Sequence, residues 1–476
     1  MKILILILLI ISSSPIVAQR AVSFDEALTT MLDNNRTLKG ARYGVDAANE
    51  ELRAARGLRS PRLELMGGYA LMQHDVDIDL TGAKGVVTTS LNSMIKDGVS
   101  AGIITPDVAS LLNAGLAPIG SLDWRYTIQK RSFGTVGLSL AAPIYTGGRI
   151  NIANRAAKLE YEASSYELNA TQSALLTELV ERYFGVILLR NVVMLRHELV
   201  DGVQKHLDDA IAMEQEGILA HSAILYLQYR KSEAERDLAE TESKLKVAMR
   251  SLMTTMGVDE DVNPNGKLFV YNDIYSIDYY VDASYKLNPI LQSAYTGLRL
   301  AHEGVKLSRA ELLPEVVAMG SAALYSHNLA DVVPRWAVGI GVNMTIFDGL
   351  GKERRYRAAK TNEKRVVEIV ENAEDNIALL IEKEYYAVIN ALESIEASSR
   401  SREFAEDYLN STSEGFREGV VSSADLVDAR IEYTASGIEL LNAAYQYVLS
   451  LARLLEAAGL SAEFVDYQKN GIEVNI

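Results

Sequence analysis

Two aspartates three residues apart, Asp425 and Asp428, are the pair whose spacing most suggests chemistry. On a helix they share one face. Both fall near the start of a segment with helical character, where the backbone dipole favours negative charge. That placement fits two readings: acidic decoration of a helix start, or carboxylates presented to a passage. No catalytic constellation accompanies them. The six histidines (His74, His197, His206, His221, His302 and His327) are scattered, and none has a cysteine or acidic partner at zinc-ligand spacing. The chain has no cysteine, which excludes a disulfide framework and thiolate chemistry. The stretch from Tyr145 to Arg149 is glycine-rich but lacks Walker or dinucleotide-binding spacing. Gly147 and Gly148 read more simply as a strand-to-helix junction that needs backbone freedom. The residues point away from an enzyme, a metal site or a cofactor.

The elements that must position these residues come in two copies. Aligning Pro61 with Pro314, an offset of 253, also places Arg56 on Arg309, Met66 on Met319 and Gly67 on Gly320. An offset of 202 places Arg155 on Arg357, Tyr183 on Tyr385 and Gly217 on Gly419. The two offsets differ by 51 residues, so the first copy carries an insertion at about 73–130. Long insertions belong on surface loops, and an external cover with some helix is the expectation.

Each copy reads as helix, strand, turn, strand, very long helix, turn, long helix. Strands are expected at about 61–72, 131–143, 314–325 and 335–347. In the last, Trp336, Val338, Ile340 and Val342 alternate with Ala337, Gly339 and Gly341, the period of a strand. Four strands cannot close a barrel of useful bore unless several chains contribute. Helices are expected at 148–216, 222–256, 350–415 and 423–458, none of which contains proline. The longest would reach roughly 100 Å at 1.5 Å per residue, and such helices need partners along their whole length. Gly217 and Gly419 suit helix C-terminal caps; Ser222 and Ser423 are candidate N-caps.

Residues 1–18 have one lysine, an apolar run and small residues before Ala18, the pattern of a secretory signal peptide. No later stretch is apolar enough for a transmembrane helix. The 47 basic residues against 63 acidic ones argue against nucleic acid as a partner. The expected division is therefore 1–18 signal peptide, 19–256 first repeat, 257–287 an equatorial inter-repeat region, 288–460 second repeat and 461–476 a C-terminal tail.

This organisation resembles the TolC-like outer-membrane efflux protein family over residues 21 to about 460. The resemblance rests on the P-x-L-x-L strand entry at Pro61, the junction at 142–149 with Pro143, Gly147 and Gly148, its partner at 345–352 with Gly349, and the segment 414–430. It implies a mixed α/β membrane protein: a homotrimer whose twelve-stranded β-barrel, four strands per chain, contacts outer-membrane lipid and continues as a long α-helical tunnel into the periplasm. It also implies an outer-membrane exit duct of a tripartite efflux or type I-like export system, opened by contact with a periplasmic adaptor (membrane fusion protein) and an inner-membrane transporter. The family's pore-facing acidic pair falls on Asp425 and Asp428, which would form two rings of carboxylates able to select cations. The chain departs from the pattern at Val421, where the family often has a basic residue, and at Ala223, where an acidic one is sometimes present. Phe416, Arg417, Arg430 and Tyr226 are then candidates for contacts that hold the tip closed. The alternative is a periplasmic coiled-coil structural or adaptor protein without a pore. Drugs, metals and proteins all stay open as cargo.

Overall fold

A computed structural model describes residues 20–78, 84–115, 126–330 and 333–474. The signal segment and parts of the insertion lie outside the described residues. In chain order the elements are β1 (Arg20–Val22), α1 (Phe24–Asn34), α2 (Arg36–Gly57), β2 (Arg62–Leu71), β3 (Val76–Ile78), α3 (Lys84–Ser100), α4 (Pro106–Gly115), β4 (Tyr126–Gln129), β5 (Ser132–Tyr145), α5 (Arg149–Gln215) and α6 (His221–Met256). There follow β6 (Val262–Pro264), β7 (Phe269–Val270), α7 (Ile277–Leu287), α8 (Pro289–Ala310), β8 (Glu315–His327), β9 (Trp336–Asn343), α9 (Gly351–Arg417), α10 (Ser423–Ala458), a short 3-10 turn, α11 (Phe464–Asn470) and β10 (Ile472–Glu473). The chain forms two compact units. One takes residues up to Asp46, Glu162–Thr296 and Glu368–Ile476; the other takes Ala47–Tyr161 and Gly297–Val367.

The first unit is helical. In α10 burial is nearly continuous from Leu440 to Ala458, with Tyr447–Ala452 buried at every position, so this part of the helix is enclosed on most sides. Phe24, Tyr183, Phe184, Phe269 and Phe464 fill the centre of that core, with neighbouring rings 5.2–6.2 Å apart in mostly edge-on or tilted arrangements. The duplication is visible in atomic detail. Asn35 donates to the Thr255 carbonyl and accepts from the Leu38 amide; Asn288 donates to the Ala457 carbonyl and accepts from the Leu291 amide. In each copy one asparagine thus caps a new helix while tying it to the end of a long one, satisfying groups that helix ends leave free.

The second unit holds a four-stranded antiparallel sheet in the order β2-β5-β8-β9. Its register sets two unlike faces. Leu63, Leu65, Leu140, Trp336 and Val338 share one face and are exposed. Gly137, Ser139, Ser321, Ala323 and Ala337 share the other, where the turn between α3 and α4 lies over Gly68. A side chain at Gly68 would put its Cβ 3.0 Å from the Ile103 Cα, so the hairpin turn sits on the sheet here at close to the tightest contact a Cβ makes. The helical hairpin has its own small cluster of Ile95, Ala109 and Leu112.

This sheet corrects the expected twelve-stranded barrel of a trimeric membrane protein. The described strands close no barrel: β2 and β9 are open edges, and the fold is mostly helical. The four strands of one chain are by themselves too few to curl round a lumen. The expectations of transmembrane β-strands and of a chain embedded in the outer membrane are corrected on the same ground. Among the described residues no helix is long and apolar enough to cross a membrane. The exit-duct expectation is corrected with it: the described chain forms no barrel of its own, and its long helices fit the coiled-coil alternative better.

Candidate functional site at the helix turns

The turns that end α5 and α9 bring most of the candidate residues into the first unit. Gly217 and Gly419 both have left-handed backbones, φ 73° and 77°, and each donates its amide back to the preceding helix. These are the conformations in which a glycine stops a helix without a Cβ clash. The starts of the following helices differ from expectation. Ser422, not Ser423, caps α10, its hydroxyl accepting from the Asp425 amide. Ser423 is instead buried in the first turn. The cap position of α6 is Ala220, with no side-chain bond, and Ser222 lies inside the helix. A Pro-free and Gly-marked turn fixes where a helix ends more tightly than which of two adjacent serines caps the next one.

Asp428 and Tyr226 meet across α6 and α10. The Tyr226 hydroxyl donates to Asp428 Oδ1 at 2.8 Å. Arg230, one helical turn beyond Tyr226, donates to the same oxygen at 3.0 Å and to the Tyr226 hydroxyl at 2.9 Å. Its guanidinium lies 5.2 Å from the centre of the Tyr226 ring and also reaches Glu233 at 3.2 Å. The hydrogen bond to Tyr226 is the largest influence raising the Arg230 pKa, with Glu233 and Asp428 adding to it, so the cation is firmly held. The triangle joins the beginnings of two helices from different repeats. Asp425, by contrast, is exposed and bonded only locally, receiving the Ser422 hydroxyl at 2.6 Å.

Behind this triangle the turn region has a core. Val203, Leu207, Ala210, Ile224, Leu227 and Val427 are buried together. Phe416 packs edge-on against His206, with ring centres 6.4 Å apart. Arg430 donates through Nε to His206 Nε2 at 3.3 Å. Burial, and then the neighbouring Arg430 charge, push the His206 pKa down to about 4, while burial lowers that of Arg430. Gly202 makes room for Arg430: a Cβ there would sit 2.5 Å from a guanidinium nitrogen. Arg417 is exposed, and Val421 is half-buried against the turn.

The structure therefore unites Tyr226 with Asp428, and Phe416 with Arg430 around His206. It leaves Arg417 and Asp425 facing outward. Pro143, Gly147, Gly148 and Gly349 belong to the other unit. There Pro143 pairs with Val317 where the β5–β8 register shifts, a place that tolerates proline. Gly147, Gly148 and Gly349 all have positive φ. Sequence reasoning missed Arg230, His206 and Gly202. The i, i+4 spacing of Tyr226 and Arg230 is a readable signal for the first. So is the repeat: Tyr226 and Asp428 are equivalent positions, 202 residues apart. Nothing in the sequence marks a buried histidine at 206. No group of three or more metal-ligating side chains occurs among the described residues.

The fold and this site define a class: an internally duplicated, long-helix protein whose candidate site binds helices to one another. The profile of the family described as "Outer membrane efflux protein" matches residues 281–460. The outer membrane efflux protein BepC of Brucella suis is 23% identical over 431 residues, covering 88% of this chain and 92% of that protein. A membrane protein of known structure from Pseudomonas aeruginosa superposes with a TM-score of 0.73 at 16% identity, covering 93% of this chain and 91% of that one. The CmeC outer membrane channel of Campylobacter jejuni gives 0.70 at 14% identity, covering 94% and 89%. The family profile, the Brucella protein and the solved structures all point to the TolC-like outer-membrane efflux proteins as what this chain resembles. That likeness supports a non-enzymatic role and suggests participation in a tripartite efflux system.

Proposed function

We propose that the chain is a periplasmic structural component of an efflux assembly, which contributes long helical hairpins and no pore of its own. The observation that carries this reading is the Tyr226–Arg230–Asp428 triangle, which fastens α6 to α10 beside their turns and so makes a firm end for the hairpins. The exposed faces of the long helices supply surface for copies of the same chain, three in a homotrimer. The turns, with Asp425 and Arg417 outward, supply charged contacts for a periplasmic adaptor and an inner-membrane transporter. The apolar face of the sheet suits an apolar partner, a second chain or outer-membrane lipid touched from outside.

Envelope extraction combined with crosslinking tests this. The reading requires the protein to leave the envelope with carbonate or high salt and to crosslink as trimers, and to crosslink to an adaptor through cysteines placed at Arg417 and Asp425. Extraction by detergent alone would overturn it, because a pore-free periplasmic component has no need of a bilayer.

A further inference from the structure

The insertion that distinguishes the first repeat from the second roofs over a cavity. The cavity, about 110 Å³, lies between the α3–α4 turn and the small-residue face of the sheet. Ile103, Ile104 and Val108 line it from the hairpin side; Gly137, Ser139 and Ala323 line it from the sheet side. Its existence follows from the residues. The floor is a hydrogen-bonded sheet bearing glycine, alanine and serine, which cannot rise to meet the roof. The roof cannot drop further, because the turn already touches the sheet backbone at Gly68. Protein interiors are otherwise close-packed, so an unfilled volume of this size at a persistent contact is a place for a guest.

We propose that this cavity binds a small uncharged organic molecule, a single ring or a short aliphatic chain carrying one hydroxyl, with the α3–α4 hairpin as its lid. An apolar cavity of about 150 Å³ holds benzene, so a guest here is of that size or slightly smaller. The isoleucine and valine side chains of the roof offer no hydrogen bond, so the apolar part of a guest packs against them. The hydroxyls of Ser139 and Thr105 in the lining supply a hydrogen bond to one polar atom. Most of the lining is apolar, and Arg335 is the one ionised side chain in it, which admits a neutral acceptor such as a hydroxyl oxygen on the guest. The site does not depend on the role proposed for the helix turns.

The test uses the purified full-length chain with 4-fluorophenol as a ¹⁹F NMR probe and n-butanol as competitor. Saturable probe binding, displaced by n-butanol, is expected for the wild type. Val108→Trp fills the cavity from the roof and Ser139→Leu from the floor; each should weaken binding by at least about tenfold with an unchanged far-UV circular dichroism spectrum. Two variants are used so that a failure of one to fold leaves the other to decide. Absence of saturable binding to the wild type, or undiminished binding in a folded cavity-filled variant, overturns the proposal.

Discussion

Removing the Tyr226 hydroxyl and the Asp428 carboxylate, singly and together, gives the most direct measure of how the helix turns are held. Two donors converge on Asp428 Oδ1, the Tyr226 hydroxyl at 2.8 Å and Arg230 at 3.0 Å. A hydrogen bond to a charged group contributes about 1.5–3 kcal/mol when buried. Here the Asp428 side chain is 48% exposed and that of Arg230 30%, so water screens both contacts. A partly exposed ion pair is then worth about 0.2–1 kcal/mol, and the hydroxyl bond about 1 kcal/mol. Tyr226→Phe should therefore cost about 1 kcal/mol and Asp428→Ala about 1–2 kcal/mol. Because the two share a bond, the double variant should cost less than the sum by about 0.5–1 kcal/mol. Native-state amide exchange across residues 203–230 and 416–431 reads this as local opening, without requiring the whole chain to unfold in one step. Salt should erode the Arg230 contribution and leave that of Tyr226. Additivity of the single changes to within about 0.3 kcal/mol would refute the coupling, and the triangle would then be a crowd of neighbours, not a clamp.

Three further outcomes follow from other contacts. His206, whose pKa burial lowers to about 4 from an unfolded value of about 6.5, makes the unfolded chain the better proton binder between those values. Stability of the turn region should be level above pH 6.5 and fall as pH drops from 6.5 towards 4; in His206→Leu that slope, read from urea midpoints against pH, should flatten. Tyr183 donates to the Val22 carbonyl at 2.9 Å and accepts from the Gly266 amide at 3.1 Å inside the core. Tyr183→Phe removes the Gly266 amide's acceptor and one of two donors to the Val22 carbonyl, which keeps the Asn265 amide, and should cost about 1–3 kcal/mol in chemical denaturation. A Cβ at residue 68 would lie 3.3 Å from the Ile103 Cβ, close to disulfide spacing, and the chain has no cysteine to interfere. Gly68→Cys with Ile103→Cys should lose both titratable thiols on mild oxidation; persistent free thiols would mean the hairpin does not rest on the sheet.

Periodicity and punctuation made the elements legible before any tertiary contact was known. The proline-free run at 148–216 is one helix, Arg149–Gln215, because nothing in it interrupts the backbone ladder and it ends at a glycine able to turn left-handed. Alternation of bulky and small residues in 336–343 marks a strand with one apolar face, since side chains in a strand switch sides at every residue. The duplication was equally open to reading, and it is why Asn35 and Asn288 make the same bonds at helix ends one repeat apart.

What closes on what was decided only in three dimensions. Four strands and a family resemblance suggested a barrel, but alternation along a strand carries no information about what its edges meet; within this chain the sheet runs β2-β5-β8-β9 and closes no barrel. The acidic pair looked like one unit because Asp425 and Asp428 share a helix face. A neighbouring helix separates their fates, giving Asp428 a hydroxyl and a guanidinium from 202 and 198 residues away and leaving Asp425 in water. His206 is an ordinary polar residue in the sequence and becomes a buried, proton-averse ring only because Phe416 and Arg430 pack onto it from other helices. Sequence by itself determined local conformation, through spacing and backbone freedom; burial and charge pairing are properties of the surroundings, and those belong to the tertiary structure.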